Sequence, residues 1–213
     1  MLKAAAQAAP GVTLLSGETV VAQEGSGSGV AVTLASGRVL TAGLLVGCDG
    51  RGSGVATRAG IKRVGWGYGQ TALVTAIRHE KDHHGIAQQF FMPSGPLAIL
   101  PLKGGHHSSI VWSETAEVAA AIQALPDDQY LTALRPRFGD FLGEISLAGA
   151  RFSYPLSLSL AERFVAPRVA LVGDAAHGVH PIAGQGLNLG LRDVAALAEV
   201  LILARRRGQE PGD

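Results

Sequence analysis

The sequence predicts a mixed α/β and α+β fold, in which a layer assembled from both ends of the chain carries an inserted antiparallel sheet. Three observations lead there. Two short apolar runs, Leu44–Cys48 and Val169–Val172, pass directly into Asp49-Gly50 and Gly173-Asp174. That is the pattern of a strand buried on both faces that delivers a polar residue at its carboxyl end. Between these runs, residues 68–112 hold four short strand-like stretches separated by turn residues, as in an antiparallel sheet. After the second run, Leu187, Leu191, Val194, Leu197, Leu201 and Ile202 keep helical spacing.

Taken in order, residues 1–9 read as a stretch of helix ended by Pro10-Gly11. Val12–Leu15, Thr19–Ala22 and Val30–Leu34 read as strands, the last two joined by the Gly/Ser loop at 25–29. Val39–Leu40 and Leu44–Cys48 follow as strands, and Cys48 is expected in the core. The insert contributes Tyr68–Ile77, Gln88–Phe91, Leu97–Leu100 and Ser109–Trp112. Two helices come next, over 115–124 and 127–138, the second opened by Pro126-Asp127-Asp128. Arg151–Ser157 and Val169–Val172 complete the strands. The final helix runs from about Gly186 to Arg207; Arg205, Arg206 and Arg207 sit where the macrodipole favours cations, and Gly208 closes it. The expected division is 1–65 with 150–213 as one domain and 66–149 as the other.

Composition narrows the function. With 47% hydrophobic residues the chain has the apolar surface for a core, which excludes intrinsic disorder. One Cys excludes an intrachain disulfide and fits a reducing cytosol. Lys+Arg minus Asp+Glu is 18 − 17 = +1, so no nucleic-acid footprint is expected. Lys3, Gln7 and Pro10 interrupt any secretory h-region. The mean hydropathy of +0.24 is compatible with peripheral association at a membrane. The 29 glycines imply many tight turns or backbone that approaches a ligand closely.

The most informative stretch is 169–197, VALVGDAAHGVHPIAGQGLNLGLRDVAAL. A buried strand presents Asp174 at the end where open α/β sheets bind ligands, and a carboxylate there can accept ribose hydroxyls. Pro181 fixes the loop, while Gly184 and Gly186 remove side chains where a ring or phosphate must approach. The helix that follows offers free N–H groups and a positive dipole end. His177 and His180 lie in the same stretch, as ligand contacts or as loop structure. Elsewhere, His79-Glu80-Lys81-Asp82-His83 has the spacing of a zinc-protease motif, but an apolar strand leads into it. A solvated hairpin tip, with no metal, is the expectation.

Segment 169–197 resembles the second FAD motif of the flavoprotein aromatic hydroxylases, the p-hydroxybenzoate hydroxylase fold. HPIAGQGLNLGLRDV is closest to the ubiquinone-biosynthesis hydroxylases, especially the 2-octaprenyl-6-methoxyphenol hydroxylase branch. LLVGCDGRGSGVATRAGI at 44–61 resembles the family's Asp-Gly motif, and FFMPSGPLAILPL at 90–102 its substrate-domain sheet. The resemblance implies a partial FAD-binding domain with an antiparallel-sheet substrate domain. It implies that Gly173 and Asp174 hold the FAD ribose, that Pro181, Gly184, Gln185, Gly186, Leu187 and Asn188 line the isoalloxazine, and that Asp49 sits near the pyrophosphate. It further implies NAD(P)H as electron donor, oxygen capture as a flavin C4a-hydroperoxide, and hydroxylation of a polyprenylated phenol. Homo-oligomers and peripheral attachment to the inner membrane or to a biosynthetic complex belong to the same expectation.

Two departures stand out. The family's Arg three residues after Ser53 is replaced by Ala56, with Arg58 nearby, and no strand–Gly-x-Gly-x-x-Gly–helix fingerprint occurs in the 213 residues. The resemblance therefore implies an internal fragment without the ADP-binding βαβ unit and a C-terminal segment, one that by itself binds FAD poorly. Two alternatives stay open: a catalytically inert interaction module, or another flavoprotein of this fold such as an isoprenoid reductase.

Overall fold

The computed structural model describes residues 2–210 and 212. The elements in order are α1 (Leu2–Ala8), β1 (Val20–Ser26), β2 (Gly29–Leu34), β3 (Val39–Ala42), β4 (Leu45–Gly47), α2 (Gly54–Arg58), β5 (Arg63–His79), β6 (Gln88–Met92), β7 (Gly95–Pro101) and β8 (His107–Thr115). There follow α3 (Ala116–Gln123), α4 (Asp127–Phe138), β9 (Ile145–Leu147), β10 (Phe152–Ala161), β11 (Val165–Ala166), β12 (Val169–Leu171), β13 (His177–Gly178) and α5 (Gln185–Arg206). The mixed class is as expected, and the chain divides into two compact units.

The first unit comprises the described residues of Met1–Arg63, Ala161–His177 and Leu189–Asp213. β1, β2 and β3 form an antiparallel sheet in chain order. A second sheet has the order β11-β12-β4, with β12 and β4 parallel in the register Val169↔Leu45 and Leu171↔Gly47. Its core is Val55, Ala56, Ile61, Ala161, Val169, Leu171, Ala175 and Ala176. β12 is buried at every residue, as its unbroken apolar run predicts. β4 is not: it is the edge strand, Val46 is 36% exposed, and Cys48 is exposed rather than a core residue.

The second unit comprises Val64–Leu160 and Gly178–Asn188. Its sheet runs β10-β5-β8-β7-β6, with β9 also against β5; β5–β8, β7–β8 and β6–β7 are antiparallel. The four strands expected in the insert are all present. Alternation along them sends Leu73, Ile77, Leu97, Ile99, Ile110 and Trp112 to one face, against Ala119, Ile122, Tyr130, Leu134 and Phe138 of α3 and α4. The apolar stripe of α4 falls at i, i+4 and i+8, with Asp127 and Asp128 in its first turn and Arg135 and Arg137 in its last, the charge order the macrodipole favours.

Two expectations need correction, and one further helix is present. Val12–Leu15 is not a strand: a four-residue apolar run without a pairing partner forms no ladder, and β1 pairs with β2 instead. The helix α2 was not anticipated; Ser53 caps it, its hydroxyl accepting from Ala56 N–H at 2.9 Å. Much of the apolar stripe of α5 is outward, with Leu187 73%, Leu191 56% and Val194 52% exposed. Gly186, Leu189, Gly190, Asp193, Leu197, Leu201 and Ala204 are the partly buried positions. Among the described residues, no helix is long and apolar enough to cross a membrane.

Candidate functional site

In the first unit, the adjacent parallel strands β4 and β12 each release an aspartate just past their carboxyl ends. Asp49 turns back on its own loop: Oδ1 accepts from the Ser53 hydroxyl at 2.6 Å and Oδ2 from Val55 N–H at 3.1 Å. Burial pushes its pKa up, but the bonds from Ser53 and Val55 outweigh this and hold it below the usual carboxylate value. Asp49 thus shapes the turn into α2, with Gly50 in the left-handed region at φ 83°.

Asp174 differs. It follows β12 in a single 3₁₀ turn, Gly173–Ala175, and its side chain is 44% exposed. Oδ2 lies 3.3 Å from Nε of Arg51. The turn beneath it is pinned from two sides. Arg63 donates to the carbonyls of Asp174, at 3.2 Å, and Ala175. Asp193 of α5 accepts from Gly173 N–H at 2.8 Å and from Nε2 of His177 at 2.6 Å, both at Oδ2. Gly173 has φ 64°, and its Cα lies 3.4 Å from where a Cβ on Gly190 would stand, so glycine at both positions permits this close approach. His177 is buried, so it serves the loop through Asp193. The sequence reading did not find Arg51, Arg63 or Asp193.

In the second unit, the segment Gly178–Asn188 carries the other expected residues. His180 donates from Nε2 to the amide oxygen of Gln70 at 3.2 Å, and Gln70 in turn donates to the carbonyl of Ser94 at 2.7 Å. Tyr68 meets the His180 ring edge-on at 5.2 Å between centroids. β5 and the β6–β7 turn thereby tether the loop. Pro181 precedes the short 3₁₀ turn Ile182–Gly184, in which Ala183 (φ 54°) and Gly184 (φ 61°) are left-handed. Pro181, Gly184, Gln185, Leu187 and Asn188 face solvent, and a Cβ on Gly184 or Gly186 would meet nothing within 4 Å. A cavity of about 330 Å³ lies between this loop and the sheet face opposite α3 and α4; Pro181, Ala183 and Gly184 roof it, and Ala98, Leu100 and Val111 floor it.

The zinc-like spacing is not on a helix. His79 ends β5, and both imidazoles are buried rather than solvated, at 3% and 9% exposure. Each ring nitrogen has a partner: His79 meets the Lys81 carbonyl at 2.7 Å and the Ser108 hydroxyl at 3.0 Å, and His83 meets the Leu102 carbonyl and Gly85 N–H, both at 2.9 Å.

A strand-end acidic turn on parallel strands, a glycine-bearing loop leading into a long helix, and an antiparallel sheet with a cavity on its open face define a flavin-dependent monooxygenase fold. pqsL of Pseudomonas aeruginosa, a probable FAD-dependent monooxygenase, has the same fold with a TM-score of 0.76 and 26% identity, over 94% of this chain and 57% of its own. The chain belongs to the FAD binding domain family, whose sequence profile matches residues 1–211. Among its relatives, ubiquinone hydroxylase UbiL of Rhodospirillum rubrum is 49% identical over 203 residues, 95% of this chain and 47% of that protein. The 3-demethoxyubiquinol 3-hydroxylase of Escherichia coli is 37% identical over 205 residues, 96% of this chain and 52% of that one. The chain spans about half the length of these relatives.

The donor set suits FAD. A half-exposed carboxylate at a strand end can accept ribose hydroxyls, and the open side of Gly184 and Gly186 leaves room for a planar ring beside the backbone.

Proposed function

We propose that this chain is the ribose- and ring-binding part, together with the substrate sheet, of an FAD-dependent monooxygenase that hydroxylates a polyprenylated phenol in ubiquinone biosynthesis, with NAD(P)H as electron donor. The observation that carries this is Asp174: it projects half-exposed from a turn that Arg63 and Asp193 hold rigid. Those contacts fix the backbone turn that carries the carboxylate before a ligand arrives, which lowers the ordering cost of binding. The names of the relatives support the substrate class.

In this reading Gly173 and Asp174 hold the ribose. Pro181, Gly184, Gln185, Gly186, Leu187 and Asn188 border the isoalloxazine, and Asp49 keeps the β4–α2 turn in shape near the pyrophosphate. FAD, when bound, supplies the redox and oxygen-transfer chemistry. The protein contributes position, an apolar cavity that excludes water from the reacting ring, and the positive end of the α5 dipole near the loop. A polyprenyl tail is membrane-soluble, so a cytoplasmic enzyme peripheral to the inner membrane, acting singly or in a complex, fits this substrate.

The test is product analysis. The full-length protein, given NAD(P)H, O₂ and a short-chain prenylphenol, is expected to yield a product one oxygen atom heavier by mass spectrometry. Consumption of NAD(P)H with reduction of a prenyl double bond instead would establish the reductase alternative.

A further inference from the structure

Five of the chain's seven histidines, His79, His83, His84, His106 and His107, gather at one end of the second unit. At their centre is His83, in the loop between β5 and β6 (residues 80–87). Its backbone N–H donates to the Gly105 carbonyl of the β7–β8 hairpin at 2.9 Å. Its buried ring bridges the same two segments, and its two bonds, both 2.9 Å, fix its protonation state. The Leu102 carbonyl can only accept, so Nε2 carries a hydrogen. The Gly85 N–H can only donate, so Nδ1 keeps its lone pair. The closed loop therefore holds this imidazole neutral and in one tautomer.

The loop these bonds hold is a strained one. His84 and Gly85 are both left-handed, at φ 51° and 70°, a region that residues with a side chain seldom adopt. Asp82 accepts from His84 N–H at 2.6 Å, and a Cβ on Gly105 would stand 2.6 Å from the other Asp82 oxygen. A proton added at His83 Nδ1 turns an acceptor into a donor that faces the Gly85 N–H, and that bond is lost. The new N–H has another acceptor in Asp82, whose Oδ1 lies 4.0 Å from Nδ1. Asp82 stays ionised where imidazoles titrate, because the bond from His84 N–H above all holds its pKa below the usual carboxylate value.

The other charges around the ring act against a closed, protonated loop. Lys81 and His84 share the loop, and the His79 ring at the end of β5 is 5.6 Å from that of His83 and 6.3 Å from that of His106. Arg78, Glu80, Lys103, His106, His107 and Glu144 line the groove beside His79. Its two carboxylates are engaged, Glu80 with Glu144 N–H and Glu144 with Arg135. Protons taken up by several of these rings repel one another across the seam between loop and hairpin.

We infer that the β5–β6 loop is a proton-operated latch: neutral His83 fastens it to the β7–β8 hairpin, and protonation of His83 at Nδ1 releases it. The loop runs directly into Ala87, which lines the cavity floored by Ala98, Leu100 and Val111, so release loosens one wall of that cavity. Opening takes up a proton, so acid favours the open loop and alkali the closed one. With a solvated imidazole titrating near about 6.5 in the open loop, the open population grows about tenfold from about pH 7.5 to about pH 5.5.

Hydrogen exchange read by mass spectrometry over residues 80–87 of the full-length protein tests this, with rates corrected for the intrinsic effect of pH. Wild type is expected to lose about tenfold of its protection there between about pH 7.5 and about pH 5.5. His83→Asn should stay protected at both values, because its side-chain oxygen accepts from Gly85 N–H in an Asx-turn and does not titrate. His79→Gln should respond as wild type does. NMR of the histidine ring nitrogens in wild type, which depends on no variant's folding, should show His83 as the Nε2–H tautomer at about pH 7.5. Wild-type protection that pH leaves unchanged, an equal loss in His83→Asn, or a response abolished by His79→Gln would each overturn the inference. So would His83 found as the Nδ1–H tautomer or as imidazolium at about pH 7.5.

Discussion

Asp193→Ala is expected to loosen the first unit where it presents Asp174. One carboxylate oxygen accepts from Gly173 N–H at 2.8 Å and from His177 Nε2 at 2.6 Å. Hydrogen bonds to a charged group contribute about 1.5–3 kcal/mol each. The Asp193 side chain is 22% exposed, so the lower values apply, about 3 kcal/mol for the two. Ala is the better helix former by about 0.5 kcal/mol in mid-helix, which offsets part of this. The net loss is about 2.5 kcal/mol, or about 5–10 °C in the melting midpoint of a chain this size. Asp193→Asn keeps one acceptor and should fall about midway. Thermal and urea denaturation of wild type and both variants supply the numbers. If Asp193→Ala unfolds within about 0.5 kcal/mol of wild type, as an unconstrained surface substitution would, the clamp on Gly173 and His177 carries no weight.

Asp174→Ala should weaken flavin retention about tenfold to hundredfold, since a charge-assisted hydrogen bond to ribose contributes about 1.5–3 kcal/mol; flavin remaining after gel filtration measures it, and full retention would remove Asp174 from the site. Glu114→Ala should destabilise the second unit by about 3 kcal/mol in urea unfolding. It strips the buried partner from Arg137, at 2.9 Å, and from the Trp112 indole N–H, at 3.0 Å, and Arg137 is exposed enough to hold the cost at the low end of the buried-pair range. His79 gives a pH signature: burial, outweighing the bond to the Lys81 carbonyl, holds its pKa below the ordinary 6.5. The stability this neutral imidazole contributes is complete above about pH 6.5 and is lost as pH falls through its folded pKa. Melting curves from about pH 7.5 to about pH 5 should therefore converge for wild type and His79→Gln on the acid side; parallel curves would show that His79 does not titrate as described.

What the sequence made legible had local signals. The unbroken run Val169–Val172 marked a strand buried along its length, and turn residues at regular spacing marked the sheet of the second unit. The 169–197 segment located Asp174 and the loop at 181–188. What escaped depends on distant partners. Arg51 and Arg63 reach Asp174 and its turn across more than a hundred residues, which no period encodes. Asp193 had a readable sign, a carboxylate three residues after Gly190 and four before Leu197 on one helix face, but its target Gly173 lies 20 residues away. Cys48 reads as a core residue because an apolar run of five reads as a core strand, whereas β4 is an edge strand and Cys48 lies just past its end. His79 and His83 looked like a solvated tip because the turn around them is polar; backbone carbonyls and Ser108 satisfy both rings and allow them to be buried.

The central claim is that this chain belongs to an FAD protein and that the Gly173–Asn188 segment holds the cofactor. Heat-released flavin from the purified full-length protein, resolved by chromatography and counted against protein, tests it most directly. About one FAD per chain is expected. FMN in its place, or protein that binds no flavin when supplied with FAD, would contradict it.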